Sequence, residues 1–178
     1  MTTPVNQALG GARILLRPPR LADAEEIFAS IASDARVTRF LSWLPHADVG
    51  ETRQVITELF NQNDDHTWVV ALRDTEEIVG QIGFRRPQPH LAELGYCLAT
   101  RWWGRGLMAE AVVVIMQELQ QDSQIFRVEA TCHVDNTRSA RVLEKCGLSF
   151  EGRLVRHTVF PNLGADPRDC LLYARAMR

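Results

Sequence analysis

The chain has 178 residues, of which 46% are hydrophobic and 24% charged, and its formal net charge is -2 at pH 7. This length is enough for one domain with a substantial core. Because neither sign of charge dominates, the composition favours neither a nucleic-acid partner nor a membrane surface. The sequence has no apolar run as long as a membrane span, and its first residues lack the order of a signal peptide. We therefore expect one cytoplasmic domain over residues 1–178, with residues 1–11 as a flexible tail.

The cysteines and histidines give no indication of a metal site or of a disulfide framework. No two cysteines form a CxxC pair, and each lies in an apolar run, so we interpret them as reduced thiols. The histidines are scattered without the spacing of metal ligands. The sequence therefore predicts no metal cofactor. The cysteines are Cys97, Cys132, Cys146 and Cys170.

The first half of the chain alternates segments that are typical of strands and of helices. A strand is predicted at 13–17, and a helix follows from Asp23 with apolar side chains at helical spacing. An apolar and aromatic segment at 37–44 precedes a second helix at 48–60. A meander of three strands then follows, at 67–72, 78–84 and Leu91–Leu98.

The stretch after this meander joins a strand to an apolar helix through a short loop. The loop contains two arginines and two glycines, Arg101, Gly104, Arg105 and Gly106. Glycines allow the backbone to approach a ligand closely, and the N–H groups and dipole of a helix N-terminus favour an anion. Arginine adds charge and forked donors suited to phosphate oxygens. This combination predicts a phosphate-binding loop, although a Gly-x-Gly pattern alone is a weak signal.

The second half of the chain repeats the alternation of strands and helices. After the helix that begins near Leu107, a strand is predicted at 125–132 and a helix at 136–146, which Gly147 ends as a left-handed cap. Two last strands are predicted at 148–159 and 170–176. The order β-α-α-β-β-β-α-β-α-β-β predicts one mixed α/β domain.

Four motifs together resemble the GNAT superfamily of acyl-CoA-dependent N-acetyltransferases. The loop Arg101-x-x-Gly104-x-Gly106 is similar to the pyrophosphate loop of that family. The others are ELGY at 93–96, GLMAEA at 106–111, and NTRS at 136–139 followed by LEKCGL at 143–148. The resemblance covers nearly the whole chain.

Two further segments, RILLR at 13–17 and WLP at 43–45, resemble the Rim-type branch. Members of that branch acetylate the N-terminal α-amine of ribosomal proteins. The chain departs from the family pattern at Thr100, where proline is frequent. It also departs at Leu143, where many other branches have the tyrosine that acts as the acid for the thiol.

The resemblance implies a single-domain GNAT fold with acetyl-CoA as the co-substrate. It implies a mixed, mostly antiparallel seven-stranded sheet flanked by helices and splayed between the fourth and fifth strands, with the pantetheine arm in the splay. The loop and the start of the next helix would hold the pyrophosphate. The residues expected to bind CoA are Cys97, Leu98, Ala99, Arg101, Trp103, Gly104, Arg105, Gly106, Leu107, Met108, Asn136 and Ser139.

Two side chains are the candidates for chemistry, Glu93 as the general base and Ser139 as the hydrogen-bonding partner of the CoA sulfur. Alternation along the strand puts Glu93 and Cys97 on one face and Tyr96 on the other. The competing interpretation of Glu93 is an ion pair with an arginine. For Asn136 and Ser139 it is helix capping without chemistry. Tyr96 is interpreted as a packing residue.

A protein N-terminus is the expected acceptor, in a pocket built from the first two helices, 40–45 and 161–167. His46 lies beside this entrance. Acetylation of a small amine, such as a polyamine, an amino acid or an aminoglycoside, stays open, and so does a CoA-binding module without catalysis. A cationic acceptor would favour an acidic pocket, for which the sequence offers Asp48, Glu51, Glu58, Asp64 and Asp65.

Other features leave alternatives. Arg141 and Lys145 lie one turn apart on the late helix, where they either reach the 3′-phosphate of CoA or belong to a solvated face. No nucleic acid or membrane is expected as a partner, and a homodimer stays open.

Overall fold

The computed structural model describes residues 7–62 and 65–178. Residues 1–6 of the predicted tail and residues 63–64 of the predicted turn lie outside the described residues. The strands are β1 Leu9–Gly10, β2 Ile14–Arg17, β3 Asp65–Leu72, β4 Ile78–Gln88, β5 Leu91–Leu98, β6 Arg127–His133, β7 Ser149–Val159 and β8 Pro167–Ala176. The α-helices are α1 Ala24–Ile27, α2 Ala35–Thr38, α3 Val49–Glu58, α4 Leu107–Gln121 and α5 Thr137–Lys145.

The strands form one mixed sheet in the order β1-β2-β3-β4-β5-β6-β8-β7. Every pairing is antiparallel except that of β5 with β6. The predicted seven strands are one too few, because Leu9 and Gly10 pair with β2 inside the stretch that was predicted to be a flexible tail. The predicted fourth strand is β5, with the predicted bounds. A single mixed α/β fold is confirmed.

The parallel pair β5 and β6 stays together over only three positions. Leu91 to Glu93 pair with Arg127 to Glu129, and beyond Glu93 the two strands separate. From there β6 remains paired with β8, and β5 remains paired with β4. The predicted splay is therefore confirmed, and it opens a gap beside residues 94–98.

Helices cover both faces of the sheet. The face that carries Leu94, Tyr96 and Leu98 packs against α4 and α5 around Ile115 and Leu143. The opposite face packs against α1 to α3. Since successive side chains of a strand point to opposite faces, this burial confirms the predicted alternation along β5. The strand thus presents different residues to the two sides of the gap.

The loop between β7 and β8 docks onto the segment that follows α2. The side-chain amide of Asn162 donates 2.8 Å hydrogen bonds to the carbonyls of Thr38 and Trp43. Phe160 beside it is 5% exposed. The two stretches predicted to build an acceptor pocket are therefore in contact, and one side chain fixes their relative position.

We expect Asn162→Ala to lower the free energy of unfolding by about 1–3 kcal/mol, because two carbonyls lose their donor in a partly buried site. Chemical denaturation measures this. The matched control is Gln54→Ala, which removes an exposed amide that donates to Glu58, and it should cost less than about 0.5 kcal/mol. Equal losses in the two variants would show that the docking contact contributes no more than a surface hydrogen bond.

Candidate active site

A cavity of about 550 Å³ lies along the gap that opens beside β5. Its walls are the end of β5, the loop before α4, the start of α4, one side of α5 and the α2 segment at 36–41. Of the residues predicted for the site, those that line it are Cys97, Leu98, Trp103, Gly104, Gly106, Met108, Asn136 and Ser139. Those that do not are Glu93, Ala99, Arg101, Arg105 and Leu107.

Two glycines set the path of the loop at the α4 end of the cavity. Gly104 has φ +78 and Gly106 has φ +77, both in the left-handed region that disfavours other residues. Gly106 is the N-cap of α4, so the first N–H groups of this 15-residue helix face the loop. A Cβ at Gly104 would meet no atom within 4 Å, which leaves open space where an anion fits.

The two loop arginines are engaged outside the cavity. The guanidinium of Arg101 pairs with Glu77. That of Arg105 lies 4.6 Å from the ring centre of Trp102. A direct phosphate contact by either arginine stays a prediction, which would require its side chain to leave the partner that it has here.

The positive charge of the cavity comes from other elements. Arg36, Arg39, Arg138, Arg141 and Lys145 line it, and no aspartate or glutamate is among the described residues that do. The last three stand three and four residues apart on α5, which places them on one side of that helix. Arg141 and Lys145 were predicted from the sequence and Arg138 was not, although the same helical spacing in the sequence could have identified it. Arg141 and Lys145 are exposed, as the solvated-face interpretation expects, and they also line the cavity, so contact with the 3′-phosphate of CoA stays a prediction.

The backbone of β5 faces the gap at alternate residues. The Ala99 N–H donates to the Val79 carbonyl at 2.8 Å, and Cys97 is paired with Gln81 of β4. Because the polar groups of successive residues point to opposite edges of a strand, those of Tyr96 and Leu98 face the gap. The backbone contacts expected of Cys97 and Ala99 thus belong to their neighbours.

Trp103 forms a hydrogen bond with one of these gap-facing backbone groups. Its indole N–H donates to the Leu98 carbonyl at 2.7 Å. The guanidinium of Arg138 lies 4.6 Å from the centre of its ring. Trp103 therefore links the end of β5 to the first turn of α5 across the cavity.

Ser139 stands in the first turn of α5 with its hydroxyl held by Tyr96. The Ser139 N–H donates to Asn136 Oδ1 at 3.3 Å, so Asn136 caps the helix. The Ser139 hydroxyl lies 2.8 Å from that of Tyr96. Burial raises the pKa of Tyr96 well above its usual value. Tyr96 packs as predicted, but it also lines the cavity, which strand alternation alone did not reveal.

Glu93 stands where β5 and β6 begin to separate. Its Oε2 accepts a 2.8 Å hydrogen bond from Nε of Arg85, and its side chain is 23% exposed. Its side chain leaves β5 on the face opposite that of Tyr96. The ion pair that was the alternative interpretation is present, and it holds the carboxylate at the apex of the gap.

A cluster of three rings, of which Phe40 lines the cavity and the other two are buried behind it, joins the docked loops to the end of β6. The rings of Phe40 and His133 stack at 4.9 Å, and Phe160 meets His133 edge-on at 5.0 Å. Burial lowers the pKa of His133. His46 lies apart from the cavity lining, with Nδ1 at 2.8 Å from the Thr52 hydroxyl.

The acidic residues considered for a cationic acceptor have local partners. Asp48 caps α3, and Glu51 accepts from the Ala47 N–H. Glu58 accepts from Gln54, and Asp65 accepts from the Thr67 hydroxyl. Asp64 lies outside the described residues.

Residues 7–62 and 65–178 contain no group of three or more His, Cys, Asp or Glu side chains placed to hold a metal ion. None of their helices is long and apolar enough to cross a membrane.

A sheet that splays beside a glycine loop at a helix N-terminus defines the class of acetyltransferase folds. The profile of the acetyltransferase (GNAT) domain family matches residues 13–149, and the chain belongs to this family. It is an N-acetyltransferase.

Relatives of known sequence or structure agree with this assignment. An uncharacterized N-acetyltransferase p20 of Bacillus licheniformis is 29% identical over 147 residues, which cover 80% of this chain and 82% of that protein. The [ribosomal protein uS5]-alanine N-acetyltransferase of Escherichia coli (strain K12) is 34% identical over 101 residues, 55% of this chain and 52% of that enzyme. The ribosomal L7/L12 α-N-protein acetyltransferase RimL, solved in complex with coenzyme A, has a TM-score of 0.83 at 20% identity and covers 96% of this chain and 98% of its own.

Adding a side chain at Gly104 should weaken CoA binding. We expect Gly104→Ala to raise the Kd for CoA about tenfold, because a left-handed residue with a Cβ shifts the N–H groups that face the phosphates. Isothermal calorimetry with CoA measures this. Gly147, with φ +81 at the end of α5, is the matched control. Gly147→Ala carries a similar backbone strain of roughly 1 kcal/mol and should leave the Kd unchanged. Equal effects of both substitutions on the Kd would contradict a direct role of the loop.

Proposed function

We propose that this N-acetyltransferase moves the acetyl group of acetyl-CoA directly to the N-terminal α-amine of a protein. The observation that carries the proposal is the cavity between β5 and β6. It has a glycine loop at one end, Ser139 on its wall and basic side chains around it. Glu93 stands at the apex of the same gap.

The donor half of the site fits CoA by charge and by backbone geometry. The pyrophosphate would lie on the N–H groups at the start of α4, next to Gly104 and Gly106. The α5 side chains Arg138, Arg141 and Lys145 are placed for the remaining phosphate charge. The pantetheine arm would lie along the gap-facing backbone of Tyr96 and Leu98. Arg101 and Arg105 act in this arrangement by fixing the outer side of the loop.

Direct transfer needs a neutral amine and a base to take its proton. An α-amine has an ordinary pKa of about 7.7–8.0, so a weak base is sufficient near neutral pH. Glu93 stands three residues from Tyr96, which is roughly 10 Å along a strand. We therefore propose that Glu93 removes the proton through water, with Arg85 fixing the position of its carboxylate.

Groups that face the gap would stabilise the acetyl carbonyl and the leaving thiol. An N–H of Tyr96 or Leu98 would stabilise the developing oxyanion, because both face the gap. The Ser139 hydroxyl would donate to the sulfur. A thiol has an ordinary pKa of about 8.5, so a hydrogen bond to the thiolate is sufficient and no proton has to leave Ser139. Glu93 and Ser139 thus act from opposite faces of β5.

The charge of the cavity supports a peptide acceptor over a cationic small molecule. Polyamines and aminoglycosides carry several positive charges, whereas the described lining has five basic side chains and no acidic one. Phe40, an aromatic side chain of the lining, offers a contact for the first side chain of a peptide. The name of the Escherichia coli relative points to the same class of acceptor.

Glu93→Gln should lower kcat/KM about a hundredfold at pH 7, because a general base contributes about 10² or more to the rate. The deficit should shrink as the pH rises to about 9, where the α-amine is neutral without help. Initial rates of thiol release across this pH range measure both effects.

Glu129→Gln is the matched control. Glu129 is the register partner of Glu93, and it is also paired with an arginine, Arg127, at a similar exposure. We expect its loss to change kcat/KM less than about threefold. A hundredfold loss in Glu129→Gln, with none in Glu93→Gln, would move the assignment of the base to β6.

An acceptor screen with acetyl-CoA tests the substrate class. Peptides that begin with Ala, Ser or Met should release CoA thiol, and N-terminally blocked versions of the same peptides should not. Spermidine, free amino acids and an aminoglycoside serve as the competing acceptors. Turnover of one of these with silence from every peptide would refute the N-terminal proposal and leave the acetyltransferase assignment intact.

A further inference from the structure

We infer that Tyr96 is a positioning residue that turns the Ser139 hydroxyl proton towards the sulfur of the bound CoA. This inference rests on the proposed function, because it requires CoA in the gap with its thiol near Ser139. It adds Tyr96 to the residues that act on the CoA thiol. Many related enzymes use a tyrosine as the acid for this thiol, at the position that is Leu143 in this chain.

The hydrogen bonds of the pair decide where each proton points. The Tyr96 hydroxyl lies 2.8 Å from Ser139 Oγ and 3.3 Å from the Ser139 carbonyl. A hydroxyl–oxygen hydrogen bond is usually about 2.7–2.8 Å long, so Oγ is the better acceptor. The Ser139 carbonyl is also the expected acceptor of the helical N–H four residues further along α5, that of Leu143. Tyr96 therefore donates to Oγ.

The consequence is that the Ser139 proton cannot point back at Tyr96. A hydroxyl has one proton to donate, and its oxygen already accepts from the phenol. Two directions remain for the proton, the Cys132 thiol, which also hydrogen-bonds Ser139, and the cavity that both Tyr96 and Ser139 line. A charged CoA thiolate in the cavity is a stronger acceptor than the buried, neutral Cys132 thiol. Burial raises the pKa of Tyr96, so the phenol keeps its proton throughout the neutral range.

The chemical step balances without a proton leaving either hydroxyl. The amine nitrogen forms the bond to the acetyl carbon, and the proton of the amine goes through water to Glu93. The carbon–sulfur bond then breaks, and its electron pair stays on the sulfur as a thiolate. Ser139 donates a hydrogen bond to that thiolate, and solvent protonates it after release.

The two cysteine thiols near the pair stay neutral over the useful pH range. Cys132 of β6 and Cys146, the C-cap residue of α5, lie near Tyr96, and burial raises the pKa of each to about 11. The basic side chains of the cavity are Arg36, Arg39, Arg138, Arg141 and Lys145. Between pH 6.5 and 9, the thiol of bound CoA is therefore the group near Ser139 that changes charge.

The test measures the affinity for CoA against pH by calorimetry. If Ser139 stabilises the thiolate, the bound thiol has a lower pKa than free CoA, and the Kd falls as the pH rises from 6.5 to 9. A hydrogen bond to a charged group is strong enough for a fall of about tenfold in the wild-type protein. Tyr96→Phe and Ser139→Ala should both abolish most of this fall. Desulfo-CoA should bind without it in all three proteins.

The other tyrosine of the chain supplies the matched control. Tyr173 also has a buried hydroxyl, which donates to Glu144 Oε1 at 3.0 Å. Tyr173→Phe should retain the pH dependence of CoA binding. In that variant, biosynthetic 3-fluorotyrosine labels Tyr96 alone, and the ring fluorine makes its hydroxyl a stronger donor without removing that hydroxyl. The fall in Kd should then begin at a lower pH, and adding Ser139→Ala should cancel the change.

Kinetics give a second readout with any acceptor that turns over. Tyr96→Phe should lower kcat at least about tenfold with the KM for acetyl-CoA unchanged, and the double variant with Ser139→Ala should be no slower than Ser139→Ala alone. A Tyr96→Phe protein that keeps the wild-type pH dependence, or fluorotyrosine that shifts nothing, overturns the inference and leaves the proposed function standing. A wild-type protein that does not bind CoA overturns the proposed function itself.

Discussion

The early end of the pairing between β5 and β6 is the constraint on which the site depends. Three paired positions hold the strands together at Leu91 to Glu93, and β8 and β4 then draw them to different sides. In an unsplayed sheet, the polar groups of Tyr96 and Leu98 would pair with β6. The splay leaves them facing a cavity, and it places Glu93 at the apex where the gap begins.

Because side chains alternate along β5, the two side chains proposed to act in the gap leave the strand on opposite faces. Tyr96 reaches the α5 side and meets Ser139, whereas Glu93 leaves on the other face and meets Arg85. In the proposed direct transfer, this arrangement places the base and the hydrogen-bond donor on opposite sides of the reacting carbonyl. A single strand therefore sets the positions of both proposed groups.

Which basic side chains line the cavity depends more on packing than on their position in the glycine loop motif. The loop arginines, Arg101 and Arg105, find Glu77 and Trp102 on the outer side of the loop. The basic row of α5 turns into the cavity instead, because Leu143 on the same helix is buried in the core and fixes its rotation. The resulting lining is basic, which suits a phosphate-rich donor and disfavours a polycationic acceptor.

The sequence by itself determined most of the element order, the bounds of β5, the left-handed cap at Gly147 and the family motifs, because these depend on local periodicity and on glycine. It did not predict the four-residue helix α2. It missed β1, since two residues carry no periodic signal. Only the tertiary structure decided which backbone groups face the gap, that the Ser139 hydroxyl meets Tyr96, and that Asn162 ties the acceptor loops together. Those contacts join residues 43, 119 and 124 positions apart. Their geometry depends on strand register, helix rotation and loop docking, which no local pattern encodes.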